Sequence, residues 1–189
     1  MQTTATQHLR LAASHLREGS VIAHATEGVW GLACNPFDAA AVRRILTLKS
    51  RSVEKGMILI CADLGQVMPL LEPLSAEERL RITTLTEQPV TWLLPCKAEV
   101  PALLRGHHTT LAIRITQHEQ ARALIERCGL PLVSTSANPA GRPPARTALR
   151  VRQYFQDSID YLLPGRLGGA AGPSEIRRLH DGGVERPAS

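Results

Sequence analysis

Aromatic residues make up only 3% of this 189-residue chain. Proteins that hold single-stranded nucleic acid by stacking its bases need aromatic platforms, so that class is disfavoured. Duplex RNA is read mostly by shape and phosphate, so scarcity of aromatics does not bear on it. No apolar run is long enough to cross a bilayer, and no membrane-spanning helix is expected. Cys34, Cys61, Cys96 and Cys128 stand far apart with no C-x-x-C pair. Structural zinc spacing is therefore absent, and the cysteines read as core filler in a reducing compartment. Met1-Gln2-Thr3-Thr4 leads into a mixed amphipathic segment without a secretory pattern, which gives a cytoplasmic expectation. There is no G-x-x-x-x-G-K-[ST] loop and no G-x-G-x-x-G after a first strand. Any bound nucleotide must then be held by side chains and irregular loops. Neither a repeat nor a linker divides the chain, so one domain over 1–189 is expected.

What is present is enough apolar material for a core, 43% of residues, and an excess of positive charge, net +5 with pI near 9.4. That balance suits anionic partners such as nucleotides, pyrophosphate or RNA, and suits a solvated basic surface equally.

Leu9, Ala12, Ala13 and Leu16 recur at helical spacing, with Gly19 placed to stop the helix. Val21-Ile22-Ala23 reads as a strand running into a loop at Thr26-Glu27-Gly28. Asp38 can cap a helix with the face Ala41, Val42, Ile45 and Leu46, ending near Lys49 and Arg51. Met57 to Cys61 has the continuous apolar character of a strand buried on both faces. Ser75-Ala76-Glu77-Glu78 and Thr116-Gln117-His118-Glu119 both have capping-box form. Strands are expected at Val90–Leu94, Leu111–Ile115, Tyr161–Leu163 and around Ile176, and a last helix from Thr147 to Phe155. Strands and helices alternate irregularly, which predicts a mixed α/β sheet with helices packed on it.

Lys49-Ser50-Arg51 and Lys55-Gly56-Met57 gather cations at a helix end, just before a buried strand. Lysine offers a compact charge and arginine a planar fork for phosphate oxygens. Cations also favour a helix C-terminus through its dipole, so this stretch alone does not decide. Ser134-Thr135-Ser136-Ala137-Asn138 follows the apolar strand end Leu132-Val133. Short hydroxyl and amide groups there suit ligand binding in an α/β sheet, and suit a plain turn as well. Neither serine sits in a G-x-S-x-G elbow. Thr26-Glu27-Gly28 with Gly31 sets a carboxylate beside a strand end, where it can bind an amine or a metal, serve as a base, or sit in a polar loop. Arg114 interrupts an apolar run; alternation sets it opposite Ile113 and Ile115, so it is expected to face solvent or meet an anion. His107 and His108 read as a surface loop. Gly165 to Gly172, then Pro173-Ser174-Glu175-Ile176 and Arg186, suits a loop closing over phosphates or a plain glycine-rich connection.

In their order, these stretches resemble the YrdC-type threonylcarbamoyl-AMP synthases, in the short bacterial form. The resemblance runs nearly end to end: Ala25-Thr26-Glu27-Gly28-Val29-Trp30-Gly31-Leu32, Leu48-Lys49-Ser50-Arg51, Lys55-Gly56-Met57-Ile58-Leu59-Ile60, Pro89-Val90-Thr91, Leu111-Ala112-Ile113-Arg114, Ser134 to Gly141 and Pro173-Ser174-Glu175-Ile176-Arg177. The most specific element is K-x-R followed far downstream by S-x-N. It implies a single-domain, twisted, open mixed α/β sheet with flanking helices and a large, basic concave face. It implies a catalytic tetrad of Lys49, Arg51, Ser136 and Asn138. ATP would be held by Lys49, Arg51, Lys55, Thr110, Ser136 and Arg186, with Mg²⁺ kept mainly by phosphates and no metal ligands from the protein. Threonine would meet Thr26, Gly28, Arg114, Ser134 and Ser174. The implied reaction joins L-threonine, bicarbonate and ATP into threonylcarbamoyl-AMP with release of pyrophosphate. It would serve threonylcarbamoyladenosine formation in tRNAs reading ANN codons, through a downstream transferase complex. Binding of double-stranded RNA or tRNA and a monomeric state are further implications. Alternatives are a non-catalytic duplex-RNA or ribosome-maturation factor, and a carbamoyl transferase acting on another amine.

The chain departs from the family pattern at several positions. Ala25 replaces the usual proline, and Gly28 stands where long forms often carry threonine. Arg51-Ser52 replaces Arg-Pro, Glu87-Gln88-Pro89 replaces Trp-Pro-Gly-Pro, and Pro144 replaces a serine.

Overall fold

In the computed structural model, which describes residues 2–188, the elements in chain order are α1 (Gln2–Arg17), β1 (Ile22–Ala25), β2 (Trp30–Cys34), α2 (Ala39–Lys49), β3 (Ile58–Cys61), α3 (Ala76–Thr83), β4 (Val90–Pro95), α4 (Ala102–Arg105), β5 (Thr110–Ile115), α5 (Glu119–Cys128), β6 (Leu132–Ser136), α6 (Ala148–Phe155), β7 (Tyr161–Leu162), β8 (Glu175–Arg178) and β9 (Val184–Arg186). Local chemistry explains most boundaries. Asp38 accepts from the backbone N–H groups of Ala40 and Ala41 at the start of α2. Ser75 and Glu78 form a reciprocal capping box on α3. Gly129 ends α5 in the left-handed conformation, φ 72°.

One expectation is corrected. Thr116 is not the cap of α5: His118 caps it through Nδ1, and the Thr116 hydroxyl is committed to Glu27. Trp30–Cys34 forms β2, a strand that the sequence reading did not propose. Its run of Trp, Gly, Leu, Ala and Cys is buried on both faces and so has no polar alternation to mark it. The short α4 and β9 were likewise without a periodic signal.

The strands form one mixed nine-stranded sheet in the order β7-β1-β2-β6-β3-β5-β4-β8-β9. Central β6 pairs antiparallel with both β2 and β3, and β3 runs parallel to β5. On one face, Ala12, Ala13 and Leu16 of α1 and Leu124 and Ile125 of α5 pack on Ile22, Ala33, Ile60 and Leu132. The opposite face carries the larger core, with Val42 and Ile45 of α2 and Val151 and Phe155 of α6 against Ala23, Leu32, Leu59 and Ile113.

Strand alternation then locates the site. Side chains two residues apart share a face. Gly31, Ile58 and Ser134 therefore lie on the face that α1 and α5 cover through Ala33, Ile60 and Leu132. The two helices cover only one end of that face. Its other end is open, and there the sheet curves around a cavity of about 430 Å³.

Candidate active site in the open end of the sheet

The cavity is lined from many separate segments of chain, and six of them carry the expected site residues. Arg51, Lys55 and Gly56 come from the α2–β3 connection; Thr110, Ala112 and Arg114 from β5; and Ser134 and Ser136 from β6. The β1–β2 loop supplies Thr26, Glu27 and Gly28, the segment before β8 supplies Gly172 and Ser174, and β9 supplies Arg186. Every residue expected around the nucleotide and the threonine is in this lining except Lys49 and Asn138.

Those two lie just behind the wall. Lys49 is 5% exposed, at the last turn of α2. Its ammonium donates to the backbone carbonyl oxygens of Ser136 and Asn138 (2.8 Å to the latter) and to Asn138 Oδ1 at 3.3 Å. Asn138 Nδ2 in turn donates to the Arg142 carbonyl at 2.6 Å. Lys49 thus braces the turn that ends β6 and fixes where Ser136 faces the cavity. Burial, together with the neighbouring Arg51 charge, pushes the Lys49 pKa down to about 8.

Arg51 is two residues on, beyond Ser50, whose left-handed backbone (φ 48°) terminates the helix and turns the chain. Arg51 Nη2 donates to the Gly56 carbonyl at 3.0 Å, and its buried Nε has no partner. Burial lowers the Arg51 pKa, and burial with the charges of Arg114 and Arg51 lowers that of Arg186. Two cations whose charge burial disfavours make this a place for an anion.

Of the two expectations for Arg114, facing solvent and meeting an anion, the structure shows the second. It is 7% exposed, and the anion it meets is Glu27, with Nη2 3.6 Å from Oε2. Alternation does set it opposite Ile113, but its face is the cavity floor. Glu27 also accepts from the Thr116 hydroxyl at 2.6 Å and the Gln117 N–H at 3.2 Å. Burial works to raise the Glu27 pKa; Arg114 and these hydrogen bonds outweigh it and hold the carboxyl ionised. Across the cavity, Ser174 Oγ pairs with buried Thr91 Oγ1 at 2.7 Å, and Arg186 Nη2 donates to the Ser174 carbonyl at 2.6 Å.

Gly28 contributes backbone alone. A β-carbon there would collide with the carbonyl oxygen of Gly172. The β1–β2 loop and the glycine-rich loop are also tied by Gly168 N–H to Thr26 O (3.1 Å) and Ala170 N–H to Glu27 O (2.9 Å). Sequence reasoning missed Arg105 and Glu185 in the lining. Arg105 belongs to the one-turn α4, and only its packing under Gly56 brings it in. His108 reaches the rim from an exposed loop, as expected of that loop.

The sequence profile described as telomere recombination, that of the Sua5, YciO and YrdC proteins, matches residues 14–186. The chain belongs to the Sua5/YciO/YrdC family. A relative named threonylcarbamoyl-AMP synthase from Nitrosococcus oceani is 55% identical over 89% of this chain and 91% of that protein. One of the same name from Pseudomonas aeruginosa is 49% identical over 94% of this chain and 95% of its own length. Among solved structures, P. abyssi Sua5 complexed with L-threonine superposes with a TM-score of 0.88 at 31% identity, over 95% of this chain and 54% of that one. E. coli YciO superposes with a TM-score of 0.81 at 25% identity, over 95% and 88%. The open mixed sheet is therefore the Sua5/YciO/YrdC fold, and its uncovered end is the cavity described above.

Proposed function

We propose that this chain is an L-threonylcarbamoyladenylate synthase, using ATP and L-threonine. The observation that carries this is the near full-length match, at about half identity, to relatives named threonylcarbamoyl-AMP synthase. The cavity is chemically suited to that work. Arg51, Lys55 and Arg186 offer positive charge to a triphosphate, and the Glu27–Arg114 pair with Ser134 and Ser174 offers both signs to an amino acid.

The threonine amine takes its carbon from bicarbonate, with loss of water, to give a carbamate. A carbamate oxygen attacks the α-phosphorus of ATP; that O–P bond forms, the α–β bridge breaks, and pyrophosphate leaves with the bond electrons. Little covalent help is required, so positioning and charge stabilisation carry the catalysis. Arg51 binds and orients phosphate oxygens through its free guanidinium donors. Ser136 presents its hydroxyl to the nucleotide from a turn that Lys49 and Asn138 brace. Thr110 and Thr26 line the cavity, and Gly28 lets the two loops close tightly over threonine. Among the described residues no cluster of three or more His, Cys, Asp or Glu side chains forms a metal site. Mg²⁺, if held by the phosphates, would supply further positive charge to offset that of the departing pyrophosphate. Bicarbonate, a tRNA-modifying transferase that consumes the product, and a cytoplasmic setting complete the proposal; among the described residues no helix is long and apolar enough to cross a membrane.

The test is pyrophosphate release from ATP by the purified protein with Mg²⁺, with threonine and bicarbonate each present or omitted. Release that needs both supports the assignment. Release without threonine points to a different acceptor. Duplex-RNA binding with no release under any condition returns the chain to the non-catalytic class.

A further inference from the structure

His24 sits on β1 on the same face as Ile22, where the α1/α5 packing gives way to the cavity. It is fully buried, with Nε2 3.3 Å from Ser134 Oγ, and Ser134 lines the cavity. Gly31, paired with His24 across the β1–β2 ladder, leaves the room that this contact needs. A β-carbon on Gly31 would lie 3.0 Å from Ser134 Oγ and 3.3 Å from His24 Nε2. The other ring nitrogen, Nδ1, is buried without a hydrogen-bond partner.

Burial, with His118 and the Arg114 charge nearby, outweighs Glu27 and the Ala25 backbone and holds the imidazole pKa down to about 4. The ring is neutral near pH 7 and carries one N–H. A buried N–H without an acceptor is costlier and rarer than a bare ring nitrogen, so the proton belongs on Nε2, facing Ser134. Ser134 Oγ then accepts from His24, and its own hydrogen is left to point into the cavity.

We propose that His24 is a positioning residue: from behind the cavity floor it turns the Ser134 hydroxyl into a donor aimed at an anionic oxygen of the bound substrate. This rests on the substrates assigned above, and the oxygen belongs either to the threonine carboxylate or to an ATP phosphate. The same seat would give a hydroxyl free to rotate if an apolar side chain replaced the imidazole, and a free rotor must be ordered again at each binding event.

The experiment compares wild type with His24→Phe, His24→Gln, Ser134→Ala and the His24→Phe/Ser134→Ala double variant. Pyrophosphate release is measured with threonine and ATP varied separately, and Kd for each by calorimetry. Glutamine reaches where Nε2 lies and phenylalanine does not donate. His24→Phe is expected to raise KM and Kd about five- to twentyfold for one substrate, with kcat little changed. A shift confined to threonine identifies the carboxylate, and one confined to ATP identifies the phosphate. His24→Gln should recover to within about twofold, and His24→Phe should add nothing once Ser134 is alanine. Should His24→Phe not fold, His24→Asn, too short to reach Ser134, must show the same shift. Unchanged constants for both substrates in a folded variant, or an equal loss with and without the Ser134 hydroxyl, would overturn the proposal. The calorimetric arm decides it even where no turnover is seen, which separates it from failure of the assigned activity.

Discussion

Lys49 and Arg51 are two residues apart and do different work. Arg51 lines the cavity and keeps a buried Nε without a partner, whereas Lys49 spends its donors on Ser136 and Asn138 behind the wall. Loss of a charge-assisted hydrogen bond in a partly desolvated site costs about 1.5–3 kcal/mol, or roughly ten- to hundredfold in rate. Arg51→Ala should therefore cut threonine-dependent pyrophosphate release by that factor. Arg10→Ala, which removes the same charge from an exposed position on α1, should leave it within about twofold. Equal activities would make Arg51 an ordinary helix-end cation.

Lys49 has a separate signature. Its folded pKa of about 8 lies below its ordinary 10.5. Between these values the unfolded chain binds more protons, so stability rises with pH across that window. The cost of burying the charge is fully present below pH 8 and is relieved as pH climbs toward 10.5, in total of order 3 kcal/mol. Urea unfolding at several pH values should show this rise in wild type beyond any in Lys49→Met. Parallel curves would mean that the ammonium is not held as described.

At the scale of elements, the cavity depends on two loops meeting backbone to backbone. The β1–β2 loop and the glycine-rich loop touch where Gly28 meets the Gly172 carbonyl, and no β-carbon fits on Gly28. Gly28→Ala should push the loops apart, costing about 1–3 kcal/mol of stability by overpacking. Because Ser174 and Thr26 flank that contact, threonine KM should rise at least about fivefold while the protein remains folded. Thermal unfolding together with a threonine titration tests both halves. A variant with wild-type KM would show that the loops can part without consequence. By contrast, Ser75 caps α3 far along the chain, and its box carries stability without touching the cavity lining.

For the molecule as a whole, several positive side chains meet where helices leave the sheet bare. Arg51, Lys55, Arg105, Arg114 and Arg186 all border one cavity, with Glu27 and Glu185 the acidic side chains there. Binding an anion there should stabilise the fold by mass action, about 2.7 kcal/mol at a nucleotide concentration a hundred times Kd. For a chain of this size that is roughly 5–10 °C in melting temperature. Differential scanning fluorimetry with Mg-ATP should show the shift in wild type and a much smaller one in Arg51→Ala. A shift equal in the two would place the nucleotide elsewhere on the surface.

The sequence by itself determined the local elements whose signals are short-range. Asp38 and the Ser75–Glu78 box start their helices by satisfying N–H groups a few residues away, and Gly129 ends one because only a left-handed residue fits there. It also offered candidate polar and charged groups for a site, since K-x-R and S-x-N carry their chemistry in their side chains. It did not determine which way Arg114 faces. Alternation distinguishes two faces, but only the incomplete cover of α1 and α5 makes one of them a cavity floor instead of a solvated surface. Strand β2 was hidden for a related reason: burial on both faces is a property of neighbours, β1 and β6, and leaves no period in the chain. The division of labour between Lys49 and Arg51 was equally closed to the sequence. Two cations at i and i+2 look alike in one dimension, and it is the left-handed turn at Ser50 and the strand end at Ser136, brought beside α2 by long-range pairing, that send one ammonium into the wall and one guanidinium into the cavity.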